Sequence, residues 1–448
     1  MFASRRDPWV VAVLLFLGYG SLSLTRHFAM RSTGYDLGIF EEAVRAYSRF
    51  RPPVAEIKAP GFNLLGDHFH PIIALIAPLY RLAPGAGTLL LVQAALFAVS
   101  AVPVTRLAAD RLGRRAGLCV GLAYGLSWGI QQAVDFDFHE IAFAVPLIAR
   151  SVELLARRRW APAACWALPL LLVKEDQALT VAAIGAYIYG RGSRRIGGAL
   201  FAGAVAFGAL VVEVVIPAFS PGHDYRYAAA ARGDGNAFHL FMPLETKGWT
   251  LLALFVPTLF LALRSPLVLL GAPCLAARFW ATVPNYWGTH FHYSAVLMPI
   301  VFIAAIDGMR GVRPVPRSVE RVAPHAMLAT ALAITLLAPQ PLRGLLDPAT
   351  WQAPEHFRAA AAALARVPDG ADVAAANRLA PQLTDRCRVF RLLPSPPWPR
   401  PEWAVAMDGT KPFGPLSASD ANTLRRLPEA GYAPVAQGGG VVLYRLRH

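Results

Sequence analysis

Charge is scarce in this chain. Only 16% of its 448 residues are Asp, Glu, Lys or Arg, where a soluble protein carries roughly a quarter, so an ordinary water-soluble domain is excluded. Acid is scarcer than base, with 28 acidic residues against 43 Lys and Arg. Cysteine is scarcer still. Cys119, Cys165 and Cys274 fall in apolar runs and Cys387 stands alone in the tail. No disulfide framework and no CxxC or Cys/His zinc spacing follows from four such residues. A nucleotide-binding glycine loop and internal repeats are missing as well.

What is abundant is apolar sequence, at 55% of residues and a mean hydropathy of +0.42. It comes in repeated long runs, the signature of a polytopic membrane protein. The net charge of +15 and pI near 10.1 invite a nucleic-acid reading. The arginines, however, cluster in short loops between apolar runs, which is the positive-inside pattern, so no nucleic-acid partner is expected.

About eleven spans are expected. The first is Trp9–Leu24, with Arg5 and Arg6 ahead of it. It has the shape of a signal peptide, but the many spans that follow favour an uncleaved first helix with a cytoplasmic N-terminus. Residues 25–70 then form a long outer loop, in which Phe40–Phe50 reads as a short amphipathic helix. Pro71–Leu82 is too short and proline-flanked for a span and reads as an interfacial helix. Spans follow at Leu89–Val104, Gly117–Val134, Ile141–Ala156, Ala161–Val173, Gln177–Tyr189, Ile196–Ile216, Trp249–Leu263, Pro266–Trp280, Ser294–Ile306 and Val322–Ala338. Merging Ala161–Val173 with Gln177–Tyr189 would put two arginine clusters on opposite sides of the membrane, so a hairpin around Lys174-Glu175-Asp176 is preferred.

The sequence divides into a membrane domain, 1–338, and a small outer α/β domain, 339–448. In the latter, Trp351–Val367 and Ser417–Leu427 read as helices. Asp372–Ala376, Arg388–Leu392, Trp403–Met407 and Gly440–Leu446 read as strands.

On this topology the arginine loops face the cytoplasm, while the acidic, histidine and aromatic loops face outward and can converge on one polar cavity. Asp36 is the candidate catalytic base, since a partly desolvated carboxylate can be tuned to accept a hydroxyl proton; the bland alternative is a helix cap. Glu41 and Glu42 lie on the short helix read at Phe40–Phe50, where a solvated face is the commoner role. Asp67, His68, His70, Asp135, Asp137 and His139, with Glu140 beside them, are metal-ligand types suited to Mg, Mn or Zn, though interfacial His and Asp often only hydrogen-bond across loops. Lys174 and Arg226 are the outer cations best placed to hold a phosphate, unless Glu175 or Asp176 neutralises the lysine. Tyr35, Glu41, Glu175, Asp176, His290, His292 and Tyr293 complete the candidate substrate contacts. Aromatics such as Phe69, Phe136, Phe138, Trp287 and Tyr293 are more often an interfacial belt than a substrate platform.

The strings YDLGIFEEA, GDHFHPI, DFDFHE, LLVKEDQAL, VIPAFSPG, HFHYSAVLMP and VAAANRLAPQL, in that order, resemble a large family of bacterial multi-pass membrane proteins to which no reaction is assigned. That family in turn resembles the C-type (GT-C fold) glycosyltransferases, which take a sugar from a polyprenyl-phosphate carrier. Those enzymes carry an essential acid in a long first outer loop, often with a metal nearby. The resemblance implies a plasma-membrane protein with a base at Asp36, a polyprenyl-phosphate-linked sugar as partner and a carrier phosphate held by outer cations. The chain departs from the pattern in one respect: its DxD, Asp135-Phe136-Asp137, lies in the second outer loop.

Two other readings compete. A transporter or lipid flippase needs ionisable residues deep in its spans, and here only Glu213 and Asp307 come near. A non-catalytic membrane module whose outer domain binds a partner would account for the tail.

Overall fold

Apolar helices paired through small residues make up most of the chain. The structure, a computed structural model, describes residues 6–233, 236–310, 315–352, 354–392 and 400–447; Arg5 and Arg313 lie outside them. Asp7–Phe28, Ala86–Leu112 and Arg194–Phe219 are long and apolar enough to cross a membrane. Shorter helical passes lie at or close to the other expected spans: Arg114–Gly125 continued by Trp128–Asp135, Ala144–Ala156, Trp160–Leu172, Gln177–Arg191, Leu244–Phe255, Pro266–Trp280, Leu297–Arg310 and Arg317–Leu337.

Two of the helical hairpins are closed by glycine. Between Leu112 and Arg114 the chain reverses at Gly113, whose φ of +96° is open to glycine and strained for other residues. The two helices then press together. A side chain at Gly117 would meet Ala109 at 2.5 Å, and one at Gly121 would meet Thr105 at 2.0 Å. Gly185 and Gly197 do the same for Gln177–Arg191 against Arg194–Leu210. Small residues at the seam let backbones approach where lipid supplies no hydrophobic drive.

Charges collect at one end of this bundle. Arg114 pairs with Asp7 at 2.5 Å, Arg106 with Glu153 at 2.6 Å and Arg111 with Asp307 at 2.7 Å. Glu153, which the span reading passed over, is buried and held by Arg106, Arg150 and Arg157 together.

At the other end, residues 29–85 fold over the bundle. A wide turn, Gly34–Gly38, leads into the helix Ile39–Ser48, and Pro71–Leu82 lies as a second short helical piece beneath it. Against this loop sits the C-terminal part. The helix there begins at Glu355 rather than Trp351, and a mixed sheet of five strands follows. Its strands are β1 (Asp372–Ala375), β2 (Arg388–Arg391), β3 (Trp403–Met407), β4 (Tyr432–Gly438) and β5 (Val441–Leu446), in the order β2-β1-β3-β5-β4. Strands β2, β1 and β3 run parallel, and β5 joins antiparallel to β3 and β4. Strand β4 was not anticipated. Its signal is Gly439-Gly440, both at positive φ, the two-residue turn that a hairpin of this twist demands.

The first loop and the C-terminal part share buried polar contacts. Glu41 and Glu42, expected on a solvated face with Glu41 also a substrate contact, are fully buried instead. Glu41 accepts from Tyr80 at 3.0 Å and from the Thr384 hydroxyl. Glu42 accepts the backbone N–H of Ile57 at 3.1 Å and of Val389 at 3.4 Å. The late motif VAAANRLAPQL supplies Asn377, which receives the Gly34 N–H at 2.7 Å and the Tyr35 N–H at 2.9 Å. It also supplies Arg378 and Gln382, which donate to the carbonyls of Met30 and His27. Burial pushes Glu41 up to about 7 and Glu42 up to about 8.

Two outcomes follow from this architecture. Glu42→Ala leaves two buried N–H groups unpaired and should cost about 2–4 kcal/mol, read as a lowered Tm of the purified protein; Glu42→Gln, which keeps one carbonyl acceptor, should cost less than half as much. For orientation, cysteines introduced at Gly222 or Gly288 in a Cys165→Ala background should react with an impermeant thiol reagent in intact cells. A cysteine at Gly190 should not. Gly190 faces open space, whereas a side chain at nearby Gly192 would strike the Trp160 ring. Labelling at Gly190 would overturn the orientation.

Candidate active site

Five loops meet at the end of the bundle opposite the paired arginines. They bring together Asp36, His68, Asp137 to Glu140, Lys174 to Asp176, Tyr225 with Tyr227, and Tyr286 to Tyr293. Their centre is a cavity of about 170 Å³. Lys174, Arg278, Tyr225, Tyr227, His292 and Tyr293 line it, with His68, Glu175, Asp176 and Tyr286.

Lys174 is held by Glu140, at 2.9 Å, rather than by its sequence neighbours Glu175 and Asp176. Burial works against its charge, but Glu140, Asp176 and Glu175 together outweigh burial and raise Lys174 well above the usual lysine range. The cavity therefore has a fixed cation in its wall. Burial also opposes ionisation of Glu140, yet Lys174 and the surrounding histidines bring it down to about 2.

Glu175 is committed elsewhere. It pairs with His68 Nδ1 at 2.6 Å, accepts the Phe69 N–H at 3.1 Å and the Tyr225 hydroxyl at 3.1 Å. Tyr227 stacks on His68 with centroids 4.5 Å apart and donates to Asp67 at 3.1 Å. Of the string His223–Tyr227, the tyrosines thus reach the cavity. Arg226 is exposed and does not line it.

Asp36 stands one layer behind the wall. Its Oδ1 lies 3.3 Å from His139 Nε2 and its Oδ2 accepts from the Thr33 hydroxyl at 2.9 Å. The His139 ring stacks on His292 at 4.0 Å, and Phe136 covers both imidazoles at 5.0 and 5.5 Å. A row Asp36–His139–His292 therefore ends at the cavity, with 28% of the Asp36 side chain still open to solvent. Asp137 closes the other side: its Oδ2 accepts the Thr33 N–H at 2.9 Å and lies 3.4 Å from the Thr33 hydroxyl. The DxD of the second loop is thus brought against the acid of the first.

The two carboxylates are driven apart. For Asp36, burial is outweighed by hydrogen bonds from His139 and Thr33, and it sits below the ordinary aspartate value. Burial dominates at Asp137 and pushes it up to about 6. Near neutral pH Asp36 is ionised and so able to accept a proton.

The remaining candidates scatter. Tyr35 is 38% exposed, with Arg391 over its ring at 4.6 Å, and lies against the C-terminal part. His290 is exposed beside Phe291, while His292, two positions on, is the buried wall residue. The six metal-ligand types do not form one set, because cations and rings already occupy them. Asp67 pairs with Lys58 at 2.7 Å and Asp135 with Arg26 at 2.9 Å. His70 packs edge-on against Phe40, where burial lowers it to about 4 and keeps it neutral. Among the described residues no three of His, Cys, Asp and Glu are placed to hold a metal ion.

Two contributors went unread in the sequence. Arg278 donates to the carbonyls of Tyr286 at 2.8 Å and Tyr293 at 3.2 Å and so shapes the 286–293 loop. An arginine inside an apolar run was its signal. Thr33, just ahead of the YDLG string, links Asp36 to Asp137, and nothing in a lone threonine marks it.

The Asp137 shift makes a testable claim about stability. With the folded value raised to about 6 and an ordinary aspartate value in the unfolded chain, the unfolded state gives up this proton first as pH rises. Wild-type stability should fall from about pH 4 to pH 6. Asp137→Asn, which still accepts from Thr33, should escape the loss. Its advantage in thermal unfolding should be absent near pH 4 and reach on the order of 2–3 kcal/mol above pH 6. An advantage independent of pH would show that Asp137 is not the group titrating.

Comparison with known proteins places the fold. Two solved structures of ArnT from Cupriavidus metallidurans, a C-type glycosyltransferase, match this chain. One is bound to undecaprenyl phosphate (TM-score 0.57) and one is in the apo state (TM-score 0.52). Each is 16% identical, and each alignment covers 96% of this chain and 97% of the other. At that identity the likeness is one of fold, and it is the fold that the loop motifs implied. No curated protein matches by sequence. The family described as a predicted membrane protein, DUF2079, matches residues 26–443, and the chain belongs to that family.

Proposed function

We propose that this protein is a membrane glycosyltransferase that moves a sugar from a polyprenyl-phosphate carrier to an acceptor hydroxyl at the outer face of the plasma membrane. The observation that carries the reading is the Asp36–His139–His292 row ending at a cavity with Lys174 in its wall. The likeness in fold to a structure bound to undecaprenyl phosphate supports a carrier of that class.

In this mechanism the carrier phosphate lies in the cavity against Lys174, and the acceptor approaches Asp36 from its solvent-open side. The Asp36 carboxylate takes the hydroxyl proton as the acceptor oxygen bonds to the anomeric carbon. The bond from that carbon to the phosphate oxygen breaks, and the carrier leaves as its phosphate. Lys174 and the hydroxyls of Tyr286 and Tyr293, which also line the cavity, offset the charge that develops on the phosphate. His139 and Thr33 are positioning residues that fix both oxygens of Asp36.

The competing readings find less support. Glu153 is neutralised by three arginines and Glu213 is exposed, which is a poor basis for coupled transport. The C-terminal part is joined to the first loop by buried hydrogen bonds next to Asp36, which fits support of the site better than a free partner-binding module.

Asp36→Asn keeps the size and the Thr33 contact but cannot take a proton. Transfer from a lipid-linked sugar pool should fall by about 10²–10⁴-fold, read in cells as accumulation of loaded carrier. Removing Lys174 alone would strand Glu140 as a buried charge at a cost of roughly 3–5 kcal/mol. The cleaner variant is therefore Lys174→Met with Glu140→Gln, which should raise KM more than it lowers kcat. A well-folded Asp36→Asn protein with wild-type turnover would sink the proposal.

A further inference from the structure

The arginine end of the bundle holds a second, larger cavity, of about 1330 Å³. It lies roughly 26 Å from the Asp36 network, taking the helix Ala86–Leu112 from Gln93, which contacts Asp137 and His139, to Asp110 at 1.5 Å per residue. Arg111, Arg158, Arg191, Arg264 and Arg310 converge on it from the ends of different helical passes. Two aspartates, Asp110 and Asp307, share the lining.

Arginines at these ends are expected from the positive-inside pattern and from the partial negative charge at helix C-termini. Neither effect requires five of them to surround one cavity, nor does either determine how the acids there are used. Asp307 is taken by Arg111 at 2.7 Å and Ser265 at 2.6 Å. Asp110 is taken by Arg157 at 2.5 Å, a residue outside the lining. Arg111 also donates to the Ala156 carbonyl, so it is fixed in place. Among the described residues Arg158 and Arg191 are then left with no ion-pair partner. The wall beside them carries Trp160 and Tyr187, ring types that favour the headgroup level of a bilayer.

We infer that this cavity binds a phosphate group, and that its source is the headgroup of an anionic phospholipid. Basic pockets between helices at the cytoplasmic face have the chemistry to hold such headgroups. Guanidinium forks suit phosphate oxygens, and the ring-bearing wall suits the start of the acyl chains. The site is separate from the sugar-transfer reading and does not depend on it.

The test uses the full-length protein in nanodiscs of phosphatidylcholine carrying a small fraction of phosphatidylglycerol, with lipids retained on release measured by native mass spectrometry. Phosphatidylglycerol should be retained over phosphatidylcholine, and millimolar inorganic phosphate should not displace it. Arg158→Gln with Arg191→Gln removes two exposed cations and should weaken retention by roughly 30-fold, at about a factor of five each. Gly190→Trp fills the same wall without changing charge, since a side chain there meets open space, and should weaken retention too. Equal retention by wild type and the double variant, at unchanged Tm, would overturn the site. Displacement by free phosphate alone would overturn its assignment to a lipid.

Discussion

The ion pair between Lys174 and Glu140 is the contact on which the loop end of this molecule depends. Both groups lie among apolar helices and rings, where an unpaired charge costs several kcal/mol. Each is tolerable because the other is 2.9 Å away. The pair joins the short hairpin turn at 174–176 to the second loop, and with it sets the height at which the loops meet. From Glu140 the chain runs straight back through His139 to the Asp36 contact and Asp137 to Thr33. The cavity cation and the candidate base are therefore parts of one electrostatic unit.

A second constraint comes from the C-terminal part. An outer loop of some length between two spans would ordinarily be mobile, and a catalytic carboxylate needs a fixed geometry. Here Asn377 receives the two N–H groups immediately before Asp36, and Glu41 and Glu42 anchor the following helix against Thr384 and β2. A segment more than three hundred residues downstream in the chain thereby acts as the brace of the Asp36 turn. This gives a physical reason for the motif at 373–383, which has no chemistry of its own.

Charge is also segregated along the helices. At one end acids are buried and paired with lysine, histidine and tyrosine; at the other, arginines outnumber acids and some remain open. Glycine seams such as Gly117 and Gly121 against Ala109 and Thr105 hold the helices close enough that both ends form pockets rather than surfaces.

The membrane class, the helical passes and the clustering of polar loops at one end were legible from sequence, because each rests on local composition and on the cost of placing charge in lipid. The place of Asp36 among those polar loops was legible too, through its string. Four of the five strands were visible; the fifth is signalled by Gly439-Gly440 but interrupted by Pro434, a residue that argues against a strand. What sequence could not determine was pairing. Glu41 and Glu42 looked solvated because only the folded C-terminal part covers them. Lys174 looked neutralised by its neighbours because Glu140, 34 residues away, is invisible to a linear reading. Asp67, Asp135 and His70 shared ligand types, but tertiary packing gave each its own partner. Local hydrophobicity decides where a chain crosses and turns; only the three-dimensional meeting of those turns decides which charges find each other.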